Sequence, residues 1–149
     1  MARQSNNLMN GESQLIDGLY WVRAKSFYEV PVHLIQKVKG VNIRVDRLYM
    51  FDAVAQNPLC LLFLLKDKDN TVKGFLWAMV NPIENVIHGN ALSVEPEIYG
   101  KGIVNEAVRI LTRIKELLGL DKVTWETTRP KAFEKIVGAK RSKRVLMEV

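Results

Sequence analysis

The chain has 149 residues, of which 48% are hydrophobic and 26% charged, and its formal net charge is +6. This size and composition predict one ordinary globular domain, here residues 15–149, behind a flexible tail at 1–14. Because no apolar run approaches the ~20 residues that span a bilayer and no signal-peptide centre is present, membrane and exported classes are excluded and the cytoplasm is expected. The positive charge favours anionic partners, namely nucleic acid, a phosphorylated cofactor or acidic protein.

The first third of the chain predicts a strand followed by two helices. The stretch "LIDGLYWVRAKSF" could start a strand, and "YEVPVHLIQKVKG" places its apolar residues on a helix-like face that ends at Gly40. The stretch "VDRLYMFDAVAQNP" has apolar residues three apart and predicts a second helix that Asn57-Pro58 closes.

The middle of the chain predicts three strands. Two short apolar runs, "LCLLFLLK" and "TVKGFLWAMVN", flank the turn residues "DKDN" and predict a β-hairpin, and "VIHGNALSV" predicts the next strand. Their continuous apolarity indicates strands covered on both faces. The only cysteine, Cys60, lies in the first run and is expected to be a buried thiol.

The last third predicts helix, strand, helix and strand. Apolar residues recur at helical spacing from Ile103 to Leu118, and Gly119 ends that helix. A strand at "KVTWETT", a short helix at "RPKAFEKIVG" and a last strand at "RVLMEV" follow. The fold class is therefore α/β, a mixed sheet with helices on its faces.

Two glycines, Gly100 and Gly102, stand where the strand before them ends and the long helix begins. They have two explanations: a tight turn, or a loop whose bare amides hold an anion at the helix N-terminus. The P-loop motif does not fit, because Ile103 follows the second glycine, and the dinucleotide motif lacks its third glycine at Asn105.

The segment "LSVEPEIYGKGIVNEAVRIL" resembles the acetyl-CoA-binding signature of the GCN5-related N-acetyltransferase superfamily. Downstream, "VTWETTRPKAFEKIVGAK" is similar to that family's next strand, short helix and turn, and residues 59–149 follow its element order. The resemblance implies a central, mostly antiparallel sheet with helices on both faces. It also implies direct transfer of an acetyl group from acetyl-CoA to a small amine or a protein amine. The short, basic chain with its N-terminal tail would also suit a divergent, phage-encoded member of this fold.

Carried over by position, the resemblance implies a cofactor site at the glycine loop. The backbone amides expected to hold the pyrophosphate belong to Tyr99, Gly100, Lys101, Gly102 and Ile103. Ser93 and Val94, on the strand before the loop, would pair with the pantetheine arm. Glu97 replaces the family's Gln or Arg, so its carboxylate must point away or pair with a cation such as Lys101.

Two residues are candidates for the catalytic base, and each has a structural alternative. Glu126 matches a strand position that holds a glutamate base in some relatives, but it could instead face solvent or pair with Arg129. His88 titrates near neutral pH, but a strand histidine is more often a hydrogen-bonded structural residue. Glu134 occupies the position at which many members of the family carry the tyrosine that protonates the leaving thiolate. The two histidines and one cysteine form no metal site.

Three functions therefore stay open. The first is an acetyl-CoA-dependent N-acetyltransferase. The second is a non-catalytic binding or structural protein that keeps the fold but lacks the tyrosine that acts as the catalytic acid. The third is a basic nucleic-acid-binding protein, supported by a C-terminal cluster of cations at Lys140, Arg141, Lys143 and Arg144. That cluster is alternatively a solvated strand edge. No membrane partner is expected, and a homodimer stays open.

Overall fold

The computed structural model describes residues 18–38, 43–126, 130–142 and 147–149. Within these residues one five-stranded sheet consists of β1 (Tyr20–Arg23), β2 (Cys60–Lys66), β3 (Val72–Asn81), β4 (Val86–Val94) and β5 (Lys122–Trp125). The strands lie side by side in chain order. Neighbouring strands are antiparallel from β1 to β4, whereas β4 and β5 are parallel. The predicted mixed, mostly antiparallel sheet is confirmed.

In the part of the chain that the structure describes, four α-helices lie beside the sheet, and three 3-10 turns precede or connect them. The helices are α1 (Val32–Gln36), α2 (Leu48–Ala55), α3 (Ile103–Leu118) and α4 (Pro130–Val137). The 3-10 turns cover Phe27–Glu29, Val45–Arg47 and Pro96–Ile98. No helix in the described part of the chain combines the length and apolarity that a membrane crossing requires.

The β2–β3 hairpin is confirmed, and its turn is built by one aspartate. The carboxylate oxygen Oδ1 of Asp67 accepts hydrogen bonds from the backbone N–H groups of Asp69 and Thr71, at 2.9 and 3.0 Å. Asn70 takes a φ of 65°, a left-handed conformation that asparagine tolerates better than most residues. Local hydrogen bonding therefore reverses the chain at this point.

Both faces of the sheet are buried, as the continuous apolar runs predicted. Successive side chains of a strand point to opposite faces, so β2 contributes to two separate cores. Leu61, Phe63 and Leu65 pack with α3. Cys60, Leu62 and Leu64 pack with the segment that contains α1 and α2.

Cys60 is the buried thiol that the sequence predicts, with 1% of its surface exposed. Trp77 donates its Nε1–H to Cys60 Sγ at 3.2 Å, and burial raises the pKa of the thiol. A neutral, hydrogen-bonded thiol inside the core packs as a small apolar group.

Helix α3 has the boundaries that its periodicity and glycines predict. Gly102 and Gly119 flank it with φ values of 77° and 69°, which side chains disfavour. Its buried face carries Ile103, Ala107, Ile110, Leu111 and Ile114.

The C-terminal helix α4 packs back onto β5. The rings of Trp125 and Phe133 stack with centroids 5.7 Å apart. The predicted last strand at 144–149 lies partly outside the described residues, and its described part, 147–149, is not in a strand. The predicted N-terminal tail at 1–14 also lies outside the described residues.

Candidate functional site

The two halves of β4 have different neighbours. Residues Val86–Gly89 pair with β3 on one side and with β5 on the other. Beyond Gly89, β4 continues to Val94 along β3, and no strand in the described part of the chain pairs with its opposite edge. Backbone N–H and C=O groups on that edge are available to an extended ligand. We call this separation of the two strands the fork.

Glycine at position 89 is required by the packing at the fork. A Cβ built at Gly89 would lie 2.0 Å from Cε3 of Trp125, so the indole ring covers this glycine directly. The same ring stacks on Phe133. The contact fixes β5 and α4 against β4 at the point where pairing ends.

A β-bulge at Asn90 marks the start of the open half. Trp77 on β3 is opposite Ala91, and the next residue, Ala78, is opposite Gly89, so Asn90 is the inserted residue. Bulges bend a strand and redirect a side chain, and they are common beside active sites. The side-chain Nδ2 of Asn90 is buried, and within the described chain it has no hydrogen-bond partner.

The two predicted catalytic residues meet at the fork. His88 Nε2 lies 3.9 Å from a carboxylate oxygen of Glu126, although the residues are 38 positions apart. The other ring nitrogen, Nδ1, is 2.7 Å from the hydroxyl oxygen of Thr124. When Nδ1–H donates to that hydroxyl, Nε2 presents its lone pair on the side of Glu126. Of the alternatives given for Glu126, the structure shows the solvent-facing one, because the residue follows the end of β5 and its side chain is 67% exposed.

Burial favours the neutral form of the His88 imidazole. Desolvation lowers the pKa of the imidazole below its ordinary value of 6.5, and the nearby carboxylates of Glu126 and Glu84 oppose this shift only in part. A neutral imidazole with a free lone pair can accept a proton, and a carboxylate beside it stabilises the cation that results.

A cavity of about 330 Å³ adjoins His88. It is also lined by Asn81 at the end of β3, Glu84 in the β3–β4 turn, Asn90 on β4 and Thr124 on β5. Its volume is at the lower end of the range for small-molecule sites.

The glycine loop at the other end of β4 is open on its outer side. Gly100 and Gly102 both have a φ of 77°, and a Cβ added to either would find nothing within 4 Å. The N–H groups of Tyr99 and Lys101 donate inside the loop, to the carbonyls of Pro96 and Ile98. Among the described residues, the N–H groups of Gly100, Gly102 and Ile103 have no acceptor.

The carboxylate of Glu97 is neutralised, though by a different lysine from the one expected. Lys73 Nζ on β3 lies 2.8 Å from Glu97 Oε1, and this bond lowers the pKa of Glu97 and raises that of Lys73. Glu97, Lys73 and Lys101 line a cavity of about 150 Å³ beside the loop. With open glycines, free amides and a compensated carboxylate, the loop fits an anionic phosphate group.

The other predicted cofactor-binding residues occupy two environments. Ser93 is buried and donates its hydroxyl to the carbonyl of Leu34 at 2.7 Å, which ties α1 to β4. Val94 is the last residue of the open half of β4. Tyr99 has 61% of its surface exposed in the glycine loop.

At the C-terminal end, Glu134 is in an ion pair rather than in the cavity. Arg141 Nε lies 2.8 Å from Glu134 Oε1. Arg141 is one of four residues in the predicted basic cluster, and Lys143 and Arg144 of that cluster lie outside the described residues.

Comparison with known proteins was made at the level of sequence and of structure. No protein-family model and no curated protein matches the chain. An aminoglycoside 6'-N-acetyltransferase from Acinetobacter baumannii superposes with a TM-score of 0.71 at 13% identity, covering 89% of this chain and 97% of that one. The fold is that of the GCN5-related N-acetyltransferases.

Two further structures with this fold illustrate its range. AAC(6')-Iy in complex with the bisubstrate analogue CoA-S-monomethyl-acetylneamine has a TM-score of 0.69 at 15% identity, covering 88% of this chain and 97% of that one. Glucosamine-6-phosphate N-acetyltransferase from Arabidopsis thaliana has a TM-score of 0.63 at 13% identity, with coverage of 88% and 97%. At such identities the fold is shared, while the function depends on the site residues.

Sequence reasoning singled out His88, Glu126 and the glycine loop but missed three features of the site. These are the bulge at Asn90, the contact of Thr124 with His88, and the pairing of Glu97 with Lys73. The Gly89-Asn90 pair inside an apolar strand was the available signal for the bulge. The other two contacts join different strands and leave no local pattern.

Proposed function

We propose that this protein is an acetyl-CoA-dependent N-acetyltransferase that acts on a small amine or a protein amine by direct transfer. The observation that carries the proposal is the pairing of His88 with Glu126 at the fork of an N-acetyltransferase fold. The fold supplies the architecture, and this pair supplies a base where the two strands separate.

The donor side of the site would be formed by the glycine loop and the open half of β4. The free N–H groups of Gly100, Gly102 and Ile103 would hold the pyrophosphate, with Lys101 adding a positive charge. The backbone of Ser93 and Val94 would pair with the pantetheine arm. When bound, acetyl-CoA would supply the acetyl group as an activated thioester.

The proton of the acceptor would go to His88. Most amines are protonated at neutral pH, and an ammonium has no lone pair for attack. In the proposed step, Nε2 of His88 takes that proton, and Glu126 stabilises the imidazolium that forms. The neutral amine would then attack the thioester carbon directly. As the C–N bond forms and the C–S bond breaks, the amine nitrogen would lose its second proton to water, and the departing sulfur of CoA would be protonated from water.

Glutamate at position 134 favours a second candidate function, a non-catalytic protein of this fold. Many members of the family carry the tyrosine that protonates the leaving thiolate at this position, whereas here the Glu134 carboxylate pairs with Arg141. A non-catalytic protein of this fold would bind acetyl-CoA or another partner but would not transfer the acetyl group.

The proposal is tested by acetyl-CoA binding followed by turnover. We expect acetyl-CoA at ~100 times its dissociation constant to stabilise the fold by about 2.7 kcal/mol, measured as a thermal shift that ATP does not produce. CoA release on addition of amines would then support the enzyme. If acetyl-CoA binds but no amine of a broad panel causes CoA release, the non-catalytic protein is favoured. If millimolar acetyl-CoA produces no thermal shift, the glycine loop does not bind acetyl-CoA and both candidate functions are rejected.

A further inference from the structure

The imidazole ring of His88 has a polar neighbour at each nitrogen, and both neighbours come from the β5 segment. The hydroxyl oxygen of Thr124 lies 2.7 Å from Nδ1, and a carboxylate oxygen of Glu126 lies 3.9 Å from Nε2. His88 and Thr124 are directly opposite each other in the parallel pairing of β4 with β5. Because alternate residues of an extended chain point to the same side, Thr124 and Glu126 can both reach the ring.

The residue between these two fixes the position of β5 against β4. Trp125 is opposite Gly89 in the register, and its ring leaves no room there for a Cβ. The ring also packs against the core on the α3 side of the sheet and stacks on Phe133. Thr124 therefore approaches His88 from a strand that cannot shift along β4 without losing this packing.

A neutral imidazole carries one proton, and the two neighbours of His88 act on different nitrogens. A carboxylate beside Nε2 favours the proton on Nε2, which would leave the lone pair on Nδ1, facing Thr124 instead of an amine. A hydroxyl that accepts a hydrogen bond from Nδ1–H keeps the proton on Nδ1 and leaves Nε2 as the base. The role of the Thr124 hydroxyl, as acceptor or as donor, therefore decides which nitrogen is basic.

The geometry gives the hydroxyl more influence on the ring than the carboxylate. The contact with Thr124 has the length of a full hydrogen bond, whereas the 3.9 Å to Glu126 exceeds that length. The Glu126 side chain is 67% exposed, so water screens its charge. Thr124 also lines the cavity, so its hydroxyl can donate its own proton there while its oxygen accepts from Nδ1–H.

Proton transfer increases the importance of the bond to Thr124. When Nε2 takes the proton of an amine, the ring becomes an imidazolium with a proton on both nitrogens, and Nδ1–H then needs an acceptor. Hydrogen bonds from a charged donor are about twice as strong as those between neutral groups. An accepting Thr124 stabilises the cation at Nδ1 while Glu126 stabilises it at Nε2, and the Nδ1 proton stays in place throughout the step.

We propose that Thr124 is a positioning residue for His88: its hydroxyl accepts a hydrogen bond from Nδ1–H and so makes Nε2 the nitrogen that takes the proton of the acceptor amine. The inference rests on the proposed function, because that function assigns His88 as the base. It goes beyond that function by giving Thr124 a role and by specifying the tautomer of the ring.

Nitrogen chemical shifts of the imidazole test the tautomer without any assay of activity. A nitrogen that carries a proton and one that carries a lone pair resonate in separate ranges, so labelling the histidines of the full chain with nitrogen-15 reports both. The chain has two histidines, and His88→Gln identifies the signals of His88. At about pH 8, the proton should be on Nδ1. In Thr124→Val, the ratio of the Nε2–H to the Nδ1–H form should rise about tenfold, as expected for the loss of one hydrogen bond.

The same variant separates turnover from cofactor binding. Thr124→Val should lower kcat/KM for an amine about tenfold, while the dissociation constant of acetyl-CoA, measured by calorimetry, stays unchanged. Thr124→Ser keeps the hydroxyl and should restore both the tautomer and most of the turnover. Thr124→Ala provides the same measurements if the valine variant fails to fold.

Thr112→Val is the matched control for loss of a threonine hydroxyl. The hydroxyl of Thr112 donates to the carbonyl of Val108 at 2.8 Å within α3. Because this bond is on another element and does not involve His88, its removal should leave the nitrogen shifts of the His88 ring unchanged.

Three results would overturn the inference. These are a proton on Nε2 of His88 in the unmodified protein, an unchanged tautomer in both Thr124→Val and Thr124→Ala, and an equal loss of the Nδ1–H form in Thr124→Ser and Thr124→Val. CoA release from an amine together with any of these results would retain the proposed enzyme and reject the role of Thr124. A tautomer that depends on Thr124, without CoA release from any amine, would retain the positioning of the ring and reject the enzyme.

Discussion

The two halves of β4 share one strand but are used differently. Residues 86–89 are held between β3 and β5, and Trp125 covers Gly89 at the last pair. Residues 90–94 keep β3 on one side and have an edge without a paired strand among the described residues. The candidate site lies where strand pairing stops, because the closed half fixes the side chains and the open half leaves polar groups for a ligand.

The largest expected effect comes from filling the contact that ends the closed half. In Gly89→Ala, the new Cβ would meet the Trp125 ring at 2.0 Å, so β5 and α4 must move. We expect a loss of about 3 kcal/mol in the free energy of unfolding, the upper part of the range for overpacking. Urea unfolding measures it.

A double mutant makes this prediction specific. Trp125→Leu removes the indole ring that Gly89→Ala would strike, so the double variant should lose less stability than the sum of the two single losses. If the two losses of stability simply add, the contact with Trp125 is not the reason that position 89 requires glycine.

The second effect concerns the chemistry of the fork rather than its stability. His88→Gln keeps a polar side chain of similar length but removes the base. If His88 accepts the amine proton, kcat/KM should fall by about 100-fold or more at neutral pH, while acetyl-CoA binding at the glycine loop stays unchanged. A comparable loss of acetyl-CoA affinity would instead assign His88 a structural role.

The pH dependence supplies a third, smaller effect. Because burial lowers the pKa of His88 in the folded state, the unfolded state takes up this proton first as the pH falls below 6.5. Stability should therefore decline below pH 6.5, and His88→Gln should flatten this part of the profile. Thermal unfolding between pH 7 and 5 measures the difference.

The Glu126 carboxylate should affect the same titration. It partly counteracts the lowered pKa of His88, so Glu126→Gln should move the acid limb of the pH–rate profile to lower pH. Asp69→Asn, at the hairpin turn, is the matched control and should leave the limb in place. If the acid limb of the pH–rate profile does not move in Glu126→Gln, Glu126 does not influence the protonation of His88.

The smallest effect is expected at the glycine loop, next to the end of the open half. Lys73 compensates Glu97, so Lys73→Met should weaken acetyl-CoA binding by about two- to fivefold, and Glu97→Gln should not weaken it. The difference should shrink as the salt concentration rises. Equal affinities for both variants and the unmodified protein would show that this pair does not influence the loop.

The elements that could be predicted from sequence are those with a local physical cause. The β2–β3 hairpin follows from two apolar runs and the turn chemistry of Asp67 and Asn70. The boundaries of α3 follow from its apolar period and from Gly102 and Gly119, whose φ values are positive. The sequence offered a solvent-facing Glu126 as one alternative but could not select it, because the choice depends on β5 ending at Trp125.

The sequence by itself determined the order of strands and helices from β1 to α4 and the glycine loop, because apolar periodicity and backbone freedom act between near neighbours in the chain. Tertiary structure alone decided that His88 meets Glu126, that Lys73 compensates Glu97, and that Asn90 is the inserted residue of a bulge. These contacts depend on the register between strands that lie far apart in sequence. The physical reason is that register is set by the packing of both sheet faces together, a property that no short segment contains.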